Sequence, residues 1–391
     1  MTTRILVLSY YFPPDLSASR AQALVNALLA HDEVEIDVVT TRPNRYRSYR
    51  PGDDHTPCPP ALSVTRVGLP PWSCGLLGQA LGFAHYAFGV HRAIRGKPYD
   101  VIVATSSRLM TAALAASITR KTQVPLYLDI RDIFVDVLPE LFPGRLGKVL
   151  AGLFRRVEAL TLQRAAHVNL VSPGFLDYFS TRYPHKTFST HTNGVDELFR
   201  QPVCSAGTTN APNAPLNIVY AGNIGVGQGL EKILPQLAER LAGKACFYVI
   251  GDGNTRNKLR QALKRRQVYN VELIPPMPRE RLIHYYQRAD VLFLHLNDFK
   301  AFLKVIPSKL FEYAATGKPI LAGLDGYAKA FTLHCISNAS VFAPTNPDAA
   351  VAALAKLSLT ATDRSAFIHD YARASIQQRM AIDILKTGNP K

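Results

Sequence analysis

Asn217-Ile-Val-Tyr-Ala-Gly222-Asn-Ile-Gly225-Val-Gly227-Gln-Gly229-Leu230 reads as a strand, a glycine-rich turn and the start of a helix. β-Branched and aromatic residues suit the strand, and the glycines let the chain turn where a side chain would obstruct it. Such a turn brings backbone N–H groups close to an anion, and the helix that follows adds the positive end of its dipole. The same wording serves an ordinary packing turn, so at this point a diphosphate cradle and a tight strand–helix connection both stand.

Working outward, the same rhythm repeats. Strand-like runs follow at 246–251, 271–275, 290–296 and 319–323, with helix-like runs between them. Upstream, strands are read at 4–9, 35–40, 101–104, 125–130 and 168–171, and helices at 18–31 and 149–165, among others. Alternating strands and helices predict parallel sheets. Residues 200–215 (QPVCSAGTTNAPNAPL) lack any hydrophobic period and read as a linker. The fold class expected is therefore α/β, with two Rossmann-like domains facing across a cleft where the carboxyl ends of the strands point. The boundaries expected are 1–199, a linker over 200–215, 216–366, and a C-terminal helix in 367–391 that packs back on the first domain.

The chain has 391 residues, 47% of them apolar and 19% charged, enough for two substantial cores. A net charge of +16 calls for an anionic partner. Nucleic acid fits poorly, because neither an aromatic-plus-basic RNA signature nor finger spacing is present. Cys58, Cys74, Cys204, Cys246 and Cys335 are scattered, which argues against a disulfide framework and a zinc site and fits a reducing cytoplasm. The opening apolar run is short and lacks a cleavage site, so it is a first strand. The stretch 76–94 is interrupted by Gln79, His85, His91 and Arg92, too polar for a spanning helix. Within it Leu77, Leu81, Ala84 and Phe88 recur at helical spacing after Trp72. That stripe reads either as buried core or as a membrane-facing surface.

A second stretch carries more chemistry. Val305-Ile-Pro307-Ser308-Lys309-Leu-Phe311-Glu312-Tyr-Ala-Ala-Thr-Gly317-Lys318-Pro319 is a helix with Pro307 and Ser308 at its start and Gly317 at its stop. Ser308, Lys309 and Glu312 share one side of it. Ser308 and Lys309 can meet phosphate oxygens, and the Glu312 carboxylate can accept both hydroxyls of a ribose. The alternative is a Lys309–Glu312 pair on a solvated surface. Gly251, at the end of a strand, and Met277, in Pro275-Pro-Met-Pro278, lie in loops able to present backbone groups to a base edge or to act as rigid connectors.

Taken together these stretches resemble retaining glycosyltransferases of the GT-B fold, in particular glycosyltransferase family 4, over nearly the whole chain. Further markers are Ser9-Tyr-Tyr-Phe12-Pro13-Pro14-Asp15 with Ser17-Ala-Ser19-Arg20, Asp129-Ile-Arg131-Asp132, Val171-Ser172-Pro173-Gly174 and Asn193-Gly194-Val195-Asp196. The wording around 306–313 is similar to bacterial members that build surface polysaccharides, such as lipopolysaccharide or capsule. The resemblance implies transfer of a hexose or N-acetylated amino sugar from a nucleotide diphosphate, expected to be UDP-linked, to a lipid-linked or saccharide acceptor. It implies a donor site over Ser17, Gly222, Asn223, Gly225, Gly251, Met277, Lys304, Ser308, Lys309 and Glu312, with Asp132, Arg131 and Lys309 as catalytic candidates. Two positions depart from the family. Lys304 stands where the first of two glutamates is usual, and Arg131 stands where a histidine is usual. No Asp-x-Asp pair sits at a strand end, so neither a metal nor a cofactor is expected. A cytoplasmic site of action is expected, peripheral to an anionic membrane surface that Arg42, Arg45, Arg47, Arg50, Lys148, Arg155, Arg156 and Arg164 would face. A nucleotide-sugar epimerase of the same architecture, or a degenerate nucleotide-sugar-binding protein, are the alternatives.

Overall fold

The computed structural model describes residues 2–16, 18–43, 59–70, 75–106, 108–142, 144–200 and 214–389. Most of the linker read at 200–215 lies outside them, as do Ser17, Arg45, Arg47, Arg50, Trp72, Cys58, Cys74 and Cys204. The chain divides into two compact units: one runs to Thr192 and takes in the segment from Ala374 on, and the other is Asn193–Arg373.

In the first unit the strands are β1 (Thr3–Leu8), β2 (Val34–Thr41), β3 (Leu62–Val67), β4 (Val101–Thr105), β5 (Leu126–Ile130), β6 (His167–Leu170) and β7 (Phe188–Ser189). Its helices are α1 (Ser19–Leu29), α2 (Gly75–Ala93), α3 (Leu109–Thr122), α4 (Phe134–Leu141), α5 (Arg145–Arg164) and α6 (Leu176–Arg182). The strands form one parallel sheet in the order β3-β2-β1-β4-β5-β6-β7. β1, β4 and β5 are central, and their apolar runs Ile5–Leu8, Val101–Ala104 and Leu126–Leu128 follow from cover on both faces. β3, with alternating exposure and the wording LSVTRV, and the two-residue β7 are edge strands. Their lack of a continuous apolar run hides them in the sequence.

The polar heart of this unit is an ion pair. Arg20 of α1 meets Asp129 of β5 through two bonds, 2.9 and 2.8 Å, with both side chains almost fully buried. Burial opposes the charged carboxylate, but the Arg20 guanidinium outweighs it and holds the Asp129 pKa low. Arg20 also donates to the carbonyls of Thr192 and His191, at 2.5 and 2.8 Å. Two family markers thus have a structural task. The final helix, α14 (Arg373–Gly388), contributes Met380, Ala381 and Ile384 to the core over β1, β2 and β4, and its Asp383 pairs with His191 at 2.8 Å.

The core reading of the Leu81–Phe88 stripe is corrected. Leu81 and Phe88 are exposed. α2 packs through its other face instead: Tyr86 is buried, stacks edge-on with Tyr10 and donates to the Val39 carbonyl at 2.8 Å, while Gly89 lies against Val67. No helix among the described residues is long and apolar enough to cross a membrane.

In the second unit the strands are β8 (Leu216–Ala221), β9 (Ala245–Ile250), β10 (Val271–Ile274), β11 (Val291–His295), β12 (Ile320–Gly323) and β13 (Ala339–Phe342). The helices are α7 (Leu230–Arg240), α8 (Arg256–Arg265), α9 (Arg279–Arg288), α10 (Ser308–Ala315), α11 (Gly326–Cys335), α12 (Pro347–Leu354) and α13 (Ser365–Asp370). The sheet is again parallel, in the order β10-β9-β8-β11-β12-β13. Its order reverses beside β8, so the turn after β8 opens at a topological switch point, where ligands bind in such sheets. Apolar cores cover both faces. This unit begins at Asn193 because Arg373 binds the carbonyls of Asn193 and Gly194, and Val195 bridges to Ala372.

Candidate functional site

The turn after β8 is fixed from three sides. Tyr313 of α10 holds the Ala221 N–H through its hydroxyl at 2.9 Å. The loop after β9 zips to it by backbone bonds, Gly222 N–H to the Ile250 carbonyl at 2.9 Å and Ile224 N–H to the Asp252 carbonyl at 2.8 Å. Gly251, at φ +148°, is obligatory there: a Cβ would lie 1.8 Å from the Gly222 carbonyl oxygen.

The third support is Asn297 with His295. The Asn297 N–H donates to the Gly227 carbonyl at 2.8 Å, and its amide donates to the Val226 carbonyl at 2.9 Å. His295 Nδ1 donates to the Gln228 carbonyl at 2.6 Å, and Nε2 accepts from the Thr345 N–H at 2.9 Å, so both ring nitrogens are engaged by the neutral imidazole. Burial pushes the His295 pKa down to about 4. With its carbonyls held this way, the turn leaves the N–H groups of Asn223, Gly225 and Gly227 without a hydrogen-bond partner among the described residues.

α10 meets this turn. The Lys309 Cε lies 3.5 Å from where a Cβ on Gly222 would stand. Lys309 Nζ donates to Glu312 Oε2 at 2.9 Å, one helical turn on. The pair is no solvated surface bridge, because Glu312 is buried. Its other oxygen faces Arg279 Nη2 at 3.5 Å, and Arg279 Nη1 donates to Asp196 Oδ2 at 2.6 Å. Arg373 donates to the same Asp196 oxygen, also at 2.6 Å. Three cations and two carboxylates thus alternate in one chain, Lys309–Glu312–Arg279–Asp196–Arg373, with a net charge of +1.

Burial raises the pKa of both carboxyls, but their cationic neighbours outweigh it and both are held low: Lys309 and Arg279 for Glu312, Arg279 and Arg373 for Asp196. Arg279 is held above its ordinary value, since Glu312 and Asp196 outweigh the burial that opposes its charge. Its guanidinium also stacks 4.9 Å over the Phe199 ring.

Gly222, Asn223, Gly225, Gly251, Lys309 and Glu312 are thus brought together in and around one turn. Ser308 is exposed at the first position of α10, where helix N–H groups have no intrahelical partner. Lys304, half-buried, ends a 3-10 segment, Lys300–Lys304, whose Phe302 ring lies 3.0 Å from where a Cβ on Gly227 would stand. Met277 packs against the apolar core near α9. In the first unit, Arg131 is half-buried with its N–H on Ser106 Oγ at 3.0 Å, and Asp132 is exposed just after β5. Arg279, Asp196, Arg373, Asn297 and His295 were not singled out as site residues in the sequence. Asp196 stands inside the Asn193–Asp196 marker and Arg279 directly after Pro278, but with 83 residues between them nothing in the sequence pairs the two.

Residues 17–187 match the family described as "Glycosyl transferase 4-like domain", and residues 209–374 match "Glycosyl transferases group 1". No curated protein matches the chain. Among solved structures, a sucrose-phosphate synthase from Thermosynechococcus elongatus is similar with TM-score 0.71 and 14% identity, over 98% of this chain and 94% of that one. Anabaena Alr3699/HepE in complex with UDP-glucose is similar with TM-score 0.67 and 14% identity, over 98% and 99%. WaaG, a glycosyltransferase involved in lipopolysaccharide biosynthesis, is similar with TM-score 0.63 and 16% identity, over 99% and 98%. At these identities the likeness establishes the fold.

Proposed function

Because the chain belongs to the group 1 glycosyltransferases of family 4, enzymes of GT-B fold that use nucleotide-sugar donors, we propose that it moves a hexose or N-acetylated amino sugar from a UDP-linked donor, with retention, to a lipid-linked or saccharide acceptor in bacterial surface polysaccharide synthesis. The observation that carries the donor half is Lys309 lying against Gly222 with buried Glu312 behind it.

Negative charge grows on the departing diphosphate, and donors fixed in advance around it lower the barrier. The N–H groups of Asn223 and Gly225, the start of α10 at Ser308 and the Lys309 ammonium supply them. Lys304 adds a second cation where an acid is usual. Glu312 stays ionised and accepts the ribose hydroxyls, giving up part of its bond to Lys309 as it does so. Arg279 and Asp196 keep that carboxylate in place. Gly251 and Met277 flank the base. Arg131 and Asp132 serve the acceptor, as orienting or proton-handling groups. These cations do the neutralising that a divalent metal would otherwise do.

UDP is favoured as the nucleotide because the similar Anabaena protein was solved with UDP-glucose. A bacterial surface polysaccharide is favoured by the likeness to WaaG. A peripheral position at the cytoplasmic membrane face fits the net charge of +16 and the exposed Leu81 and Phe88. The test is a thermal-shift and turnover screen across UDP-, GDP- and ADP-sugars. Stabilisation and hydrolysis confined to UDP-sugars are expected. Selection of GDP- or ADP-sugars would overturn the choice of base, and epimerised donor without transfer would overturn the transferase reading of this site.

A further inference from the structure

α5 carries a pattern that the transfer reaction does not use. Its inner face, with Gly147, Ala151, Glu158, Thr161 and Leu162, is buried. On the opposite face Leu146, Val149, Leu153 and Leu160 are each between 56% and 67% exposed. Their spacings of three, four and seven residues set them in one stripe along the helix. Lone exposed leucines are ordinary, but an aligned row of four on a helix about 30 Å long is a surface with a purpose.

The charge beside the stripe is of one sign. Arg145, Lys148, Arg155 and Arg156 are all exposed, and helical spacing sets Arg145 and Arg156 directly beside the stripe, with Lys148 and Arg155 on the flank away from it. The only acid in the helix, Glu158, is buried and receives the hydroxyls of Tyr178 and Tyr183, both at 3.2 Å. The outer face of α5 therefore presents cations and apolar side chains and no carboxylate. At the preceding turn Leu141 of α4 is exposed as well. A protein partner of mixed charge would leave this row of cations poorly matched. A sheet of anionic headgroups over hydrocarbon matches both halves, because arginine and lysine stems lie along apolar surface while their heads reach phosphate.

We infer that α5 is the surface through which the first unit lies on an anionic bilayer, its leucine and valine stripe entering the headgroup–acyl boundary and its cations binding lipid phosphate. The inference rests on the peripheral position proposed above and names α5 as the segment that supplies both cations and apolar contact, where the sequence reading puts cations from this helix on that surface but the apolar contact in 72–94.

The full-length protein is sedimented with vesicles of phosphatidylcholine alone or mixed with phosphatidylglycerol, at low and high salt. Binding should require phosphatidylglycerol and should weaken but persist at high salt. In Arg145→Glu/Arg156→Glu, partitioning should fall by at least about tenfold, since each basic residue contributes several-fold near such a surface. In Leu153→Ser/Leu160→Ser, the salt-resistant part should disappear. All four side chains are exposed, so melting temperature should hold in both variants. Failure of the unaltered protein to bind phosphatidylglycerol vesicles would overturn the peripheral reading and this inference with it. Unaltered binding by both variants would overturn α5 as the contact while leaving a peripheral position intact. Salt-insensitive self-association that Leu153→Ser/Leu160→Ser abolishes, with equal binding to both vesicle types, would assign the stripe to a second copy of the chain instead.

Discussion

Arg279 donates to Asp196 at 2.6 Å across 83 residues of chain while its other amino group faces Glu312 at 3.5 Å. The first helical residue of α9 thereby ties the opening segment of the second unit to the carboxylate beside the glycine-rich turn. Substituting Arg279→Gln removes one charge from between two buried or half-buried acids, each of which keeps another cation, Arg373 or Lys309. The loss of stability should be about 2 kcal/mol, below the value for stripping a buried acid of its only partner. UDP affinity should fall with it, because Glu312 loses its rear support. Arg279→Lys should recover only part of either, since a single ammonium cannot reach both acids as the guanidinium fork does. Urea titration and UDP calorimetry read the two effects separately, and unchanged UDP affinity would remove Arg279 from the donor site.

Glu312→Gln keeps the shape and removes the charge. Donor affinity should weaken by roughly 1.5–3 kcal/mol, the scale of a hydrogen bond to a charged group. Lys309, freed from its carboxylate, partly compensates through tighter contact with diphosphate. Calorimetry with UDP and with uridine separates the two, since uridine lacks the diphosphate. An unchanged uridine affinity would remove Glu312 from the ribose.

Gly251→Ala tests the backbone approach that forms the turn. The new methyl would stand 1.8 Å from the Gly222 carbonyl oxygen at a φ unfavourable for any side chain, so the loops must separate. A destabilisation of about 2 kcal/mol or more is expected, with a further loss of donor affinity at restored folding. A variant with native melting temperature and native UDP affinity would show the turn to be less constrained than its geometry requires.

The two-sheet architecture was legible because its central strands, such as Ile5–Leu8 and Val291–His295, are buried on both faces and must be written as apolar runs. β3 and β13 are hidden because, at the sheet edges, their wordings LSVTRV and ASVF carry no apolar run. The glycine turn and the Ser308–Glu312 helix start were legible for a local reason: each is a short segment whose chemistry its neighbours in sequence determine. The Lys309–Glu312–Arg279–Asp196–Arg373 chain was not, because four elements far apart in sequence meet in it, and only burial tells Glu312 from an ordinary surface acid. The exposure of Leu81 and Phe88 was hidden for the converse reason. A helical stripe looks the same whether it faces a core or solvent, and the contacts of Tyr86 and Gly89 decide it.

Turnover should survive EDTA. In the proposed site the diphosphate is met by Lys309, by Lys304 and by the N–H groups of Asn223, Gly225 and Gly227, which have no partner among the described residues, and these are proposed to supply the positive charge that a divalent cation would supply elsewhere. Lys309→Ala should therefore lower kcat by about 10²-fold or more, and added Mg²⁺ should not restore it. Loss of activity on chelation, with rescue by Mg²⁺ or Mn²⁺, would show that the cations do not suffice.

His295 links the turn to pH. Its imidazole is held neutral, donating to the Gln228 carbonyl and accepting from the Thr345 N–H, and burial lowers its pKa from 6.5 to about 4. The folded value lies below the unfolded one, so the unfolded chain binds a proton first. The stability this group contributes is fully present above about pH 6.5 and is lost as pH falls towards 4, by about 3 kcal/mol in all. His167, also lowered by burial, acts in the same direction from the first unit. Asp129, Asp196 and Glu312 act in a lower window, since their folded pKa values lie below ordinary carboxyl values and their contribution fades only as pH falls further. His295→Gln should be less stable than the natural protein at pH 7, because one amide cannot reproduce both bonds on the same geometry. Between pH 6.5 and 4 it should lose distinctly less further stability, since no proton is taken up at that position. Urea titrations followed by circular dichroism at half-unit pH steps read the slope directly. A slope in the variant as steep as in the natural protein would mean that His295 is protonated in the folded state, and its place as a neutral strut beneath the turn would be lost.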